Sequence, residues 1–167
     1  MIRTIPCGMR TGEVAVPASK SYAHRYLILA ALSGRKATLQ IDGLSDDITA
    51  TIDCLRALGS IIGQEGAGSI AINGFAPAGE EPCHLYCKES GSTLRFLLPV
   101  VGALGKKAVF HMEGRLSQRP LAPLDQVLED HGMTLQQEGE LLSVKGQLQP
   151  GCYVIPGNIS SQYITGL

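Results

Sequence analysis

The sequence has almost no net charge, no long apolar run and few cysteines, and each shortage excludes a class of protein. Its 14 Lys and Arg residues are balanced by 15 Asp and Glu residues, so no overall positive field is available to hold a nucleic acid. The longest apolar run, residues 27–32, is far shorter than the roughly 20 residues that cross a bilayer. The N-terminal MIRTIPCGMR lacks the apolar core of a secretory signal. We expect a cytoplasmic protein that binds neither nucleic acid nor membrane.

The cysteines and histidines form no recognisable disulfide or metal pattern. Five cysteines are an odd number, and without an export signal they argue against a disulfide framework. Cys83, His84 and Cys87 are close in sequence, but CHLYC is typical of a strand, which places His84 on the face opposite both cysteines. A zinc site needs two more ligands at a matching spacing, and none is evident. The four histidines are scattered, and none has a partner cysteine or acid at a suitable spacing, so we expect no metal ion to bind. These histidines are His24, His84, His111 and His131.

The chain contains an internal repeat with an offset near 70 residues. Each copy has a hydroxyl-rich turn, an apolar helix that ends at a glycine, a short strand, an amphipathic helix and two more strands. This pattern predicts an α/β (α+β) fold built from β-α-β-α-β-β units. The copies cover approximately 14–75 and 83–147, and a third begins at 151–167.

The repeat also predicts where the elements end. The apolar helices are expected to stop near Gly34 and Gly105, and the strands that follow them to cover 37–41 and 108–112. The amphipathic helices are marked by apolar residues at helical spacing: Ile48, Ile52, Leu55 and Leu58 in the first copy, and Leu121, Leu124 and Leu128 in the second.

The third copy stops after the first residues of its helix, GNISSQYITGL. A helix of one or two turns neither buries an apolar face nor completes its hydrogen bonds. One interpretation is a helix that simply ends early. We favour the other, that the chain is part of a longer protein with an incomplete first domain. We then expect apolar surface around Tyr163, Ile164 and Leu167 to be exposed and to promote association.

Three hydroxyl-rich turns stand at equivalent positions of the copies, at 19–21, 90–93 and 160–162. Free backbone N–H groups and the helix dipole favour an anion at such a helix start, although ordinary N-capping also explains each turn taken singly. If the copies pack around a pseudo-threefold axis, the three helix starts point to one place. That place suits a ligand with several negative charges.

Basic residues accompany these turns. Lys20 lies within the first turn, and Arg25 follows one helical turn later in an almost wholly apolar helix, where an unpaired Arg is costly. Arg119 is either a loop surface charge or a second anion ligand, and Arg95 either bridges neighbouring copies or binds ligand. The pair Asp46-Asp47, by contrast, is expected to cap a helix and to add charge to its first turn.

Four segments, in chain order, resemble successive motifs of the 5-enolpyruvylshikimate-3-phosphate synthase (3-phosphoshikimate 1-carboxyvinyltransferase) family: PASKSYAHRYLILAAL, ESGSTLRFLLPVVGALG, RLSQRPLAPL and GNISSQYITGL. The resemblance runs from about residue 12 to the last residue. It implies an enzyme of two domains, each with three such units around a pseudo-threefold axis, and a ligand cleft between them. The implied reaction transfers the enolpyruvyl group of phosphoenolpyruvate to the 5-hydroxyl of shikimate 3-phosphate, on the route to chorismate. It releases phosphate and uses no metal or organic cofactor.

The resemblance also implies roles for individual residues. The expected ligands of shikimate 3-phosphate are Lys20, Ser21, Arg25, Ser160, Ser161 and Gln162, and those of phosphoenolpyruvate are Lys20, Gly91, Ser92, Arg119 and Gln162. The acid–base residues of the family are expected beyond residue 167, in a second domain or partner chain, so the isolated chain should be almost inactive. The inhibitor glyphosate would share the phosphoenolpyruvate pocket, but Glu89 and Phe96 depart from the common Asn and Pro there and leave sensitivity open.

Two alternatives remain beside this interpretation. The related UDP-N-acetylglucosamine enolpyruvyl transferases usually have Lys-Asn in the first motif and a loop cysteine before Arg-Pro. This chain has Lys20-Ser21 and no cysteine before Arg119, which disfavours that family. From a different class, the chain would be a non-catalytic anion-binding domain, or one half of a split enzyme that works with a partner chain.

Overall fold

Two β-sheets, one from each complete copy of the repeat, support the helices that reach the candidate site. The computed structural model describes residues 3–4, 7–9, 11–75 and 81–167. The first copy contains five elements: α1 (Lys20–Leu32), β1 (Ala37–Gln40), α2 (Asp46–Ala57), β2 (Ser60–Gly66) and β3 (Ser69–Phe75). Its strands form an antiparallel sheet in the order β1-β3-β2.

The second copy has the same order of elements with one more strand at its start. It contains β4 (Cys83–Lys88), α3 (Gly91–Ala103), β5 (Ala108–Met112), α4 (Leu124–Asp130), β6 (Met133–Glu138) and β7 (Leu141–Gly146). The sheet order is β4-β5-β7-β6, in which β4 and β5 are parallel and the other pairs antiparallel. The predicted mixed α/β fold is therefore confirmed.

One predicted helix starts later than expected. Leu124 and Leu128 are buried on α4, but Leu121 lies before the helix and is only partly buried. Pro120 and Pro123 explain the shift, because proline has no N–H to donate and disfavours helical geometry in the residue before it. The apolar helices end two residues before the expected glycines, and β1 and β5 lie within one residue of their expected positions, the usual scatter at element ends.

The first copy lacks the opening strand of the predicted unit. Residues 11–19 form no strand, so one edge of β1 has no partner strand within the described residues. Val14 and Val16 are each 83% exposed, whereas Leu85 and Cys87 on the corresponding strand β4 are fully buried. The two segments therefore differ in the apolar burial that holds a strand against its sheet.

Helix α2 joins the copies because it packs against β2 of its own sheet and against β4 of the next. The contact includes two buried cysteines. A hydrogen bond with the Cys54 side chain, together with burial, raises the pKa of the Cys87 thiol well above its ordinary value. One continuous apolar cluster runs through both copies as a result.

The third segment ends in a short helix, α5 (Ser161–Gly166), which packs against α3. The expectation that Tyr163 is exposed is wrong, because its side chain is only 2% exposed. Its hydroxyl donates to the Pro120 carbonyl at 2.9 Å, and its ring lies under the Arg95 guanidinium at 5.5 Å. Ile164 and Leu167 are exposed, as expected. In the described part of the chain, no helix combines the length and the apolar character that crossing a membrane requires.

Candidate anion-binding site

The first turns of α1, α3 and α5 meet at one cavity of about 460 Å³. Its walls come from all three copies of the repeat. The lining residues are Lys20, Ser21, His24, Arg25, Asp47, Glu89, Gly91, Ser92, Arg95, Phe96, Arg119, Ser161 and Gln162. The structure thus brings together the site residues predicted from sequence, and Ser160 stands directly beside them as the N-cap of α5.

Each hydroxyl-rich turn caps its helix and also lines the cavity. The first serine of each turn accepts a hydrogen bond from a backbone N–H: Ser19 from Tyr22 at 3.5 Å, Ser90 from Thr93 at 3.2 Å and Ser160 from Gln162 at 3.2 Å. The residues that follow those serines face the cavity. Capping and anion binding are therefore compatible here, because different residues of one turn are available for each.

Arg25 is oriented by residues from the first and third copies. Its guanidinium donates to the carbonyl and hydroxyl oxygens of Ser21 at 2.8 and 2.6 Å, and to the Thr165 hydroxyl at 2.9 Å. The same group lies 5.0 Å from the centre of the Phe96 ring. No carboxylate of the described residues forms an ion pair with it. A full positive charge is thus held at the cavity wall without a counter-ion of its own.

Lys20 has an acidic partner that sequence reasoning missed. Its Nζ lies 2.5 Å from Oδ2 of Asp47, and this ion pair connects α1 to α2. The pair Asp46-Asp47 was expected to cap α2 and to charge its first turn. Both residues lie in that turn, but the expected cap is wrong, because Ser45 is the N-cap and accepts from the Ile48 N–H at 3.4 Å. Because Lys20 and Asp47 both line the cavity, an anion that binds Lys20 competes with this ion pair.

Arg95 connects the second and third copies. It donates to Oε1 of Gln162 at 2.8 Å, and the amide group of Gln162 donates in turn to the Ser92 hydroxyl at 2.8 Å. The Nε atom of Arg95 is buried and has no hydrogen-bond partner among the described residues. The bridging role considered for Arg95 is therefore present, and it fixes two of the expected phosphoenolpyruvate ligands relative to each other.

Gly91 lets two guanidinium groups approach the start of α3. A Cβ at this position would lie 3.3 Å from a terminal nitrogen of Arg95 and 3.3 Å from one of Arg119. Such contacts are tighter than most side-chain packing allows, so a larger residue would push an arginine away. The absence of a side chain therefore allows Arg119 to lie close to Gly91 at the start of α3.

A buried chain of polar groups runs behind the cavity and was also missed. Nδ1 of His24 lies 2.7 Å from the Thr51 hydroxyl, which lies 2.7 Å from the Thr93 hydroxyl, and Thr93 donates to Oγ of Ser90 at 2.7 Å. The chain links α1, α2 and α3 and ends on the cap of α3. Polar residues on otherwise apolar helical faces were the sequence signal that could have revealed it.

Burial lowers the pKa of His24 to about 4, and the nearby charges of Lys20 and Arg25 act in the same direction while Asp47 opposes them. The ring is therefore neutral near pH 7. Its Nε2 is buried and has no hydrogen-bond partner in the described part of the chain. A neutral His24 adds no charge to the cavity.

The cavity has a positive charge balance. Four basic side chains, Lys20, Arg25, Arg95 and Arg119, face two acidic ones, Asp47 and Glu89, which leaves two positive charges in excess. Two or more anionic groups on a small molecule would complement this excess.

Comparisons with known proteins point to one family. A family model described as EPSP synthase (3-phosphoshikimate 1-carboxyvinyltransferase) matches residues 7–167. A protein named 3-phosphoshikimate 1-carboxyvinyltransferase from Clostridium kluyveri is 39% identical over 158 residues, which cover 93% of this chain and 37% of the relative. One of the same name from Clostridium acetobutylicum is 35% identical over 171 residues, which cover 99% of this chain and 40% of the relative.

The fold is also similar to that of solved structures. An EPSP synthase structure from Acinetobacter baumannii superposes with a TM-score of 0.77 at 26% identity, over 93% of this chain and 36% of that protein. The chain thus spans at most about two fifths of the length of these relatives.

Proposed function

Because the chain belongs to the EPSP synthase family, we propose that it supplies part of the site that binds shikimate 3-phosphate and phosphoenolpyruvate in a 3-phosphoshikimate 1-carboxyvinyltransferase. The reaction transfers the enolpyruvyl group of phosphoenolpyruvate to the 5-hydroxyl of shikimate 3-phosphate and releases phosphate. The enzyme acts in the cytoplasm, on the route to chorismate.

The observation that carries this proposal is the convergence of three helix starts, from three copies of a repeat, on one positively charged cavity. The two substrates together have two phosphate and two carboxylate groups. A cavity with an excess of two positive charges, free hydroxyls and backbone N–H groups supports the binding of such ligands.

Shikimate 3-phosphate is assigned to the walls formed by α1 and α5. Lys20, Ser21 and Arg25 come from the first copy, and Ser160, Ser161 and Gln162 from the third. Oγ of Ser160 accepts from the Gln162 N–H, so its own hydrogen stays available to a phosphate oxygen. Three of the five N–H groups of the Arg25 guanidinium donate to Ser21 and Thr165, and the other two are sufficient to hold one anionic group.

Phosphoenolpyruvate is assigned to the start of α3. Gly91 offers its backbone N–H, Ser92 its hydroxyl and Arg119 its guanidinium, while Lys20 and Gln162 contact both substrates. Glyphosate, as an inhibitor, would compete for this same part of the cavity. Glu89 adds a negative charge there that weakens the attraction for any anion.

The residues of this chain bind and orient the substrates. The 5-hydroxyl group gives up its proton as its oxygen attacks C2 of phosphoenolpyruvate and C3 takes a proton. The tetrahedral intermediate then loses phosphate from C2 and a proton from C3, which restores the double bond. Positioned acid–base groups contribute factors of about 10² to 10⁴ each, and those of the family are expected in the second domain. We therefore expect negligible turnover by the 167-residue chain alone. We propose that the copies at approximately 14–75 and 83–147, with a third begun at 151–167, belong to a partial first domain.

Titration calorimetry with shikimate 3-phosphate tests the proposal. We expect saturable binding by the chain and a loss of about tenfold or more in Arg25→Ala, because a charge-assisted hydrogen bond contributes about 1.5–3 kcal/mol. Arg35→Ala is the matched control, since Arg35 is exposed after the end of α1 and does not line the cavity. Circular dichroism verifies that each variant is folded.

Two results would contradict it. A folded chain that does not bind shikimate 3-phosphate would show that the site does not form in these 167 residues. Equal affinity in Arg25→Ala and the unaltered chain would remove Arg25 from the site. Mixing the chain with a second-domain polypeptide then separates the alternatives: recovered activity supports a split enzyme, and binding without activity supports a binding module.

A further inference from the structure

Two histidines meet on the exposed face of the four-stranded sheet, outside the cavity. His84 lies on β4 and His111 on β5, and the buried residues of these strands, such as Leu85 and Phe110, face the core on the other side. Nδ1 of His84 lies 2.9 Å from Nε2 of His111. Residues 27 apart in sequence therefore place two ring nitrogens in direct contact.

The backbone fixes this arrangement. In the parallel pairing of β4 with β5, Tyr86 stands opposite His111, so His84 is its diagonal neighbour two residues earlier. The Tyr86 ring stacks on the His111 ring with centroids 4.3 Å apart and planes 19° apart, which limits rotation of His111. The two rings are thus held close by a strand ladder and an aromatic contact rather than by a loop.

From this geometry we propose that His84 and His111 form a binding site for a divalent transition-metal ion of the Ni²⁺ or Cu²⁺ type, with water in the remaining coordination positions. With metal–nitrogen bonds of about 2.1 Å, nitrogens 2.9 Å apart subtend about 90° at the metal. This is the angle between neighbouring ligands in square-planar or octahedral coordination. A tetrahedral ion such as Zn²⁺ needs a separation of about 3.4 Å.

The protonation states are compatible with metal binding. Partial burial lowers the pKa of His111, and the neighbouring His84 acts in the same direction, which favours the unprotonated ring that a metal ligand needs. In the metal-free pair one imidazole N–H donates to the other ring. On binding, the donating histidine moves that proton to its other ring nitrogen, and both facing nitrogens then offer lone pairs without net proton release.

No thiol takes part in this site. Cys83 and Cys87 lie on the opposite face of β4, and Cys87 is buried. The strand alternation that separates His84 from these cysteines is the one expected from the sequence. The partner of His84 is instead a histidine of the neighbouring strand, which no local spacing indicates.

Calorimetric titration with Ni²⁺ near pH 7 tests the proposal on the 167-residue chain. Cys7 and Cys152 are exposed thiols, so all variants carry Cys7→Ser and Cys152→Ser. We expect one saturable site and a loss of affinity of about tenfold or more in His84→Asn and in His111→Asn, because each removes one of two imidazole ligands. His131→Asn is the matched control, since His131 stacks on Tyr153 elsewhere, and it should bind like the parent.

The Cu²⁺ complex gives a second readout. Its electron paramagnetic resonance spectrum should show hyperfine splitting from two imidazole nitrogens in the parent and from one in either single variant. Ni²⁺ affinity that is unchanged in both His84→Asn and His111→Asn would overturn the proposal, and so would the absence of saturable binding. The result does not depend on the proposed enzymatic function, because shikimate 3-phosphate takes no part in it.

Discussion

His24 lies in the core, where burial disfavours the protonated, charged form of its ring. It is fully buried, and its Nδ1 lies within hydrogen-bond distance of the Thr51 hydroxyl. Through Thr51 and Thr93 it reaches Ser90, the cap of α3. A protonated ring would need to be desolvated next to Lys20 and Arg25, which is why its pKa falls to about 4.

This pKa predicts how stability depends on pH. In the unfolded chain His24 takes up a proton as pH falls below its ordinary pKa of about 6.5, while the folded chain stays unprotonated down to about 4. The free energy of unfolding should therefore fall by about 1.4 kcal/mol per pH unit within that window because of this residue, and the loss should level off below it. Urea denaturation at a series of pH values measures the slope.

His24→Asn isolates the contribution, because every other titrating group is common to both proteins. The variant should be less stable near pH 7, since it loses buried ring surface, but its stability should fall less steeply on acidification. An identical slope in the two proteins would contradict the assignment of a low pKa to His24.

The opening segments of the two copies stand at equivalent positions of the repeat, but only the second forms a strand. Residues 83–88 form β4 beside β5, while the corresponding residues before α1 form no strand beside β1. The parallel pairing of β4 is accompanied by complete burial of Leu85 between its sheet and α2. The segment before α1 leaves its valines in solvent, so pairing there would lack the apolar contribution.

Matched truncations measure this difference. Leu85→Ala should lower the free energy of unfolding by about 2–5 kcal/mol, because it leaves a cavity in the core. Val16→Ala should change it by less than about 0.5 kcal/mol, because Val16 is exposed. Urea denaturation of both variants provides the test, and a large loss in Val16→Ala would show that residues 13–17 pair with β1 in solution.

At the level of the whole molecule, an apolar surface remains uncovered beside the site. Leu29 is 61% exposed on α1, and together with Leu32 and Leu167 it borders a groove of about 290 Å³. Exposed apolar patches of this kind promote association. The expectation of association therefore stands, although Tyr163 does not contribute to it.

We predict that the chain self-associates as its concentration rises and that Leu29→Lys shifts it towards monomer, because a charge on this surface opposes apolar contact. Sedimentation velocity over a range of concentrations measures the effect. Ile61→Lys is the matched control, since Ile61 is 71% exposed on β2 and does not border the groove. Equal association in the two variants would exclude the α1 surface as the contact.

Local patterns in the sequence predicted most helices and strands and the three capped turns, whereas four ordered motifs carried the resemblance to the family. Helices, strands and caps depend on residues within about four positions of each other, through helical spacing, strand alternation and capping. The repeat indicated that the turns at 19–21, 90–93 and 160–162 meet if the copies pack around a common axis, because equivalent positions of a repeat occupy equivalent places in its units.

Tertiary packing alone decided which side chains touch. The Arg25 to Thr165 bond joins residues 140 apart, Arg95 to Gln162 joins residues 67 apart, and Tyr163 is buried only because α5 packs on α3. Such contacts depend on the distances between packed helices and strands, which spacing along the chain does not specify. For the same reason the partner of Lys20 and the pairing of His84 with His111 become visible only in the folded structure.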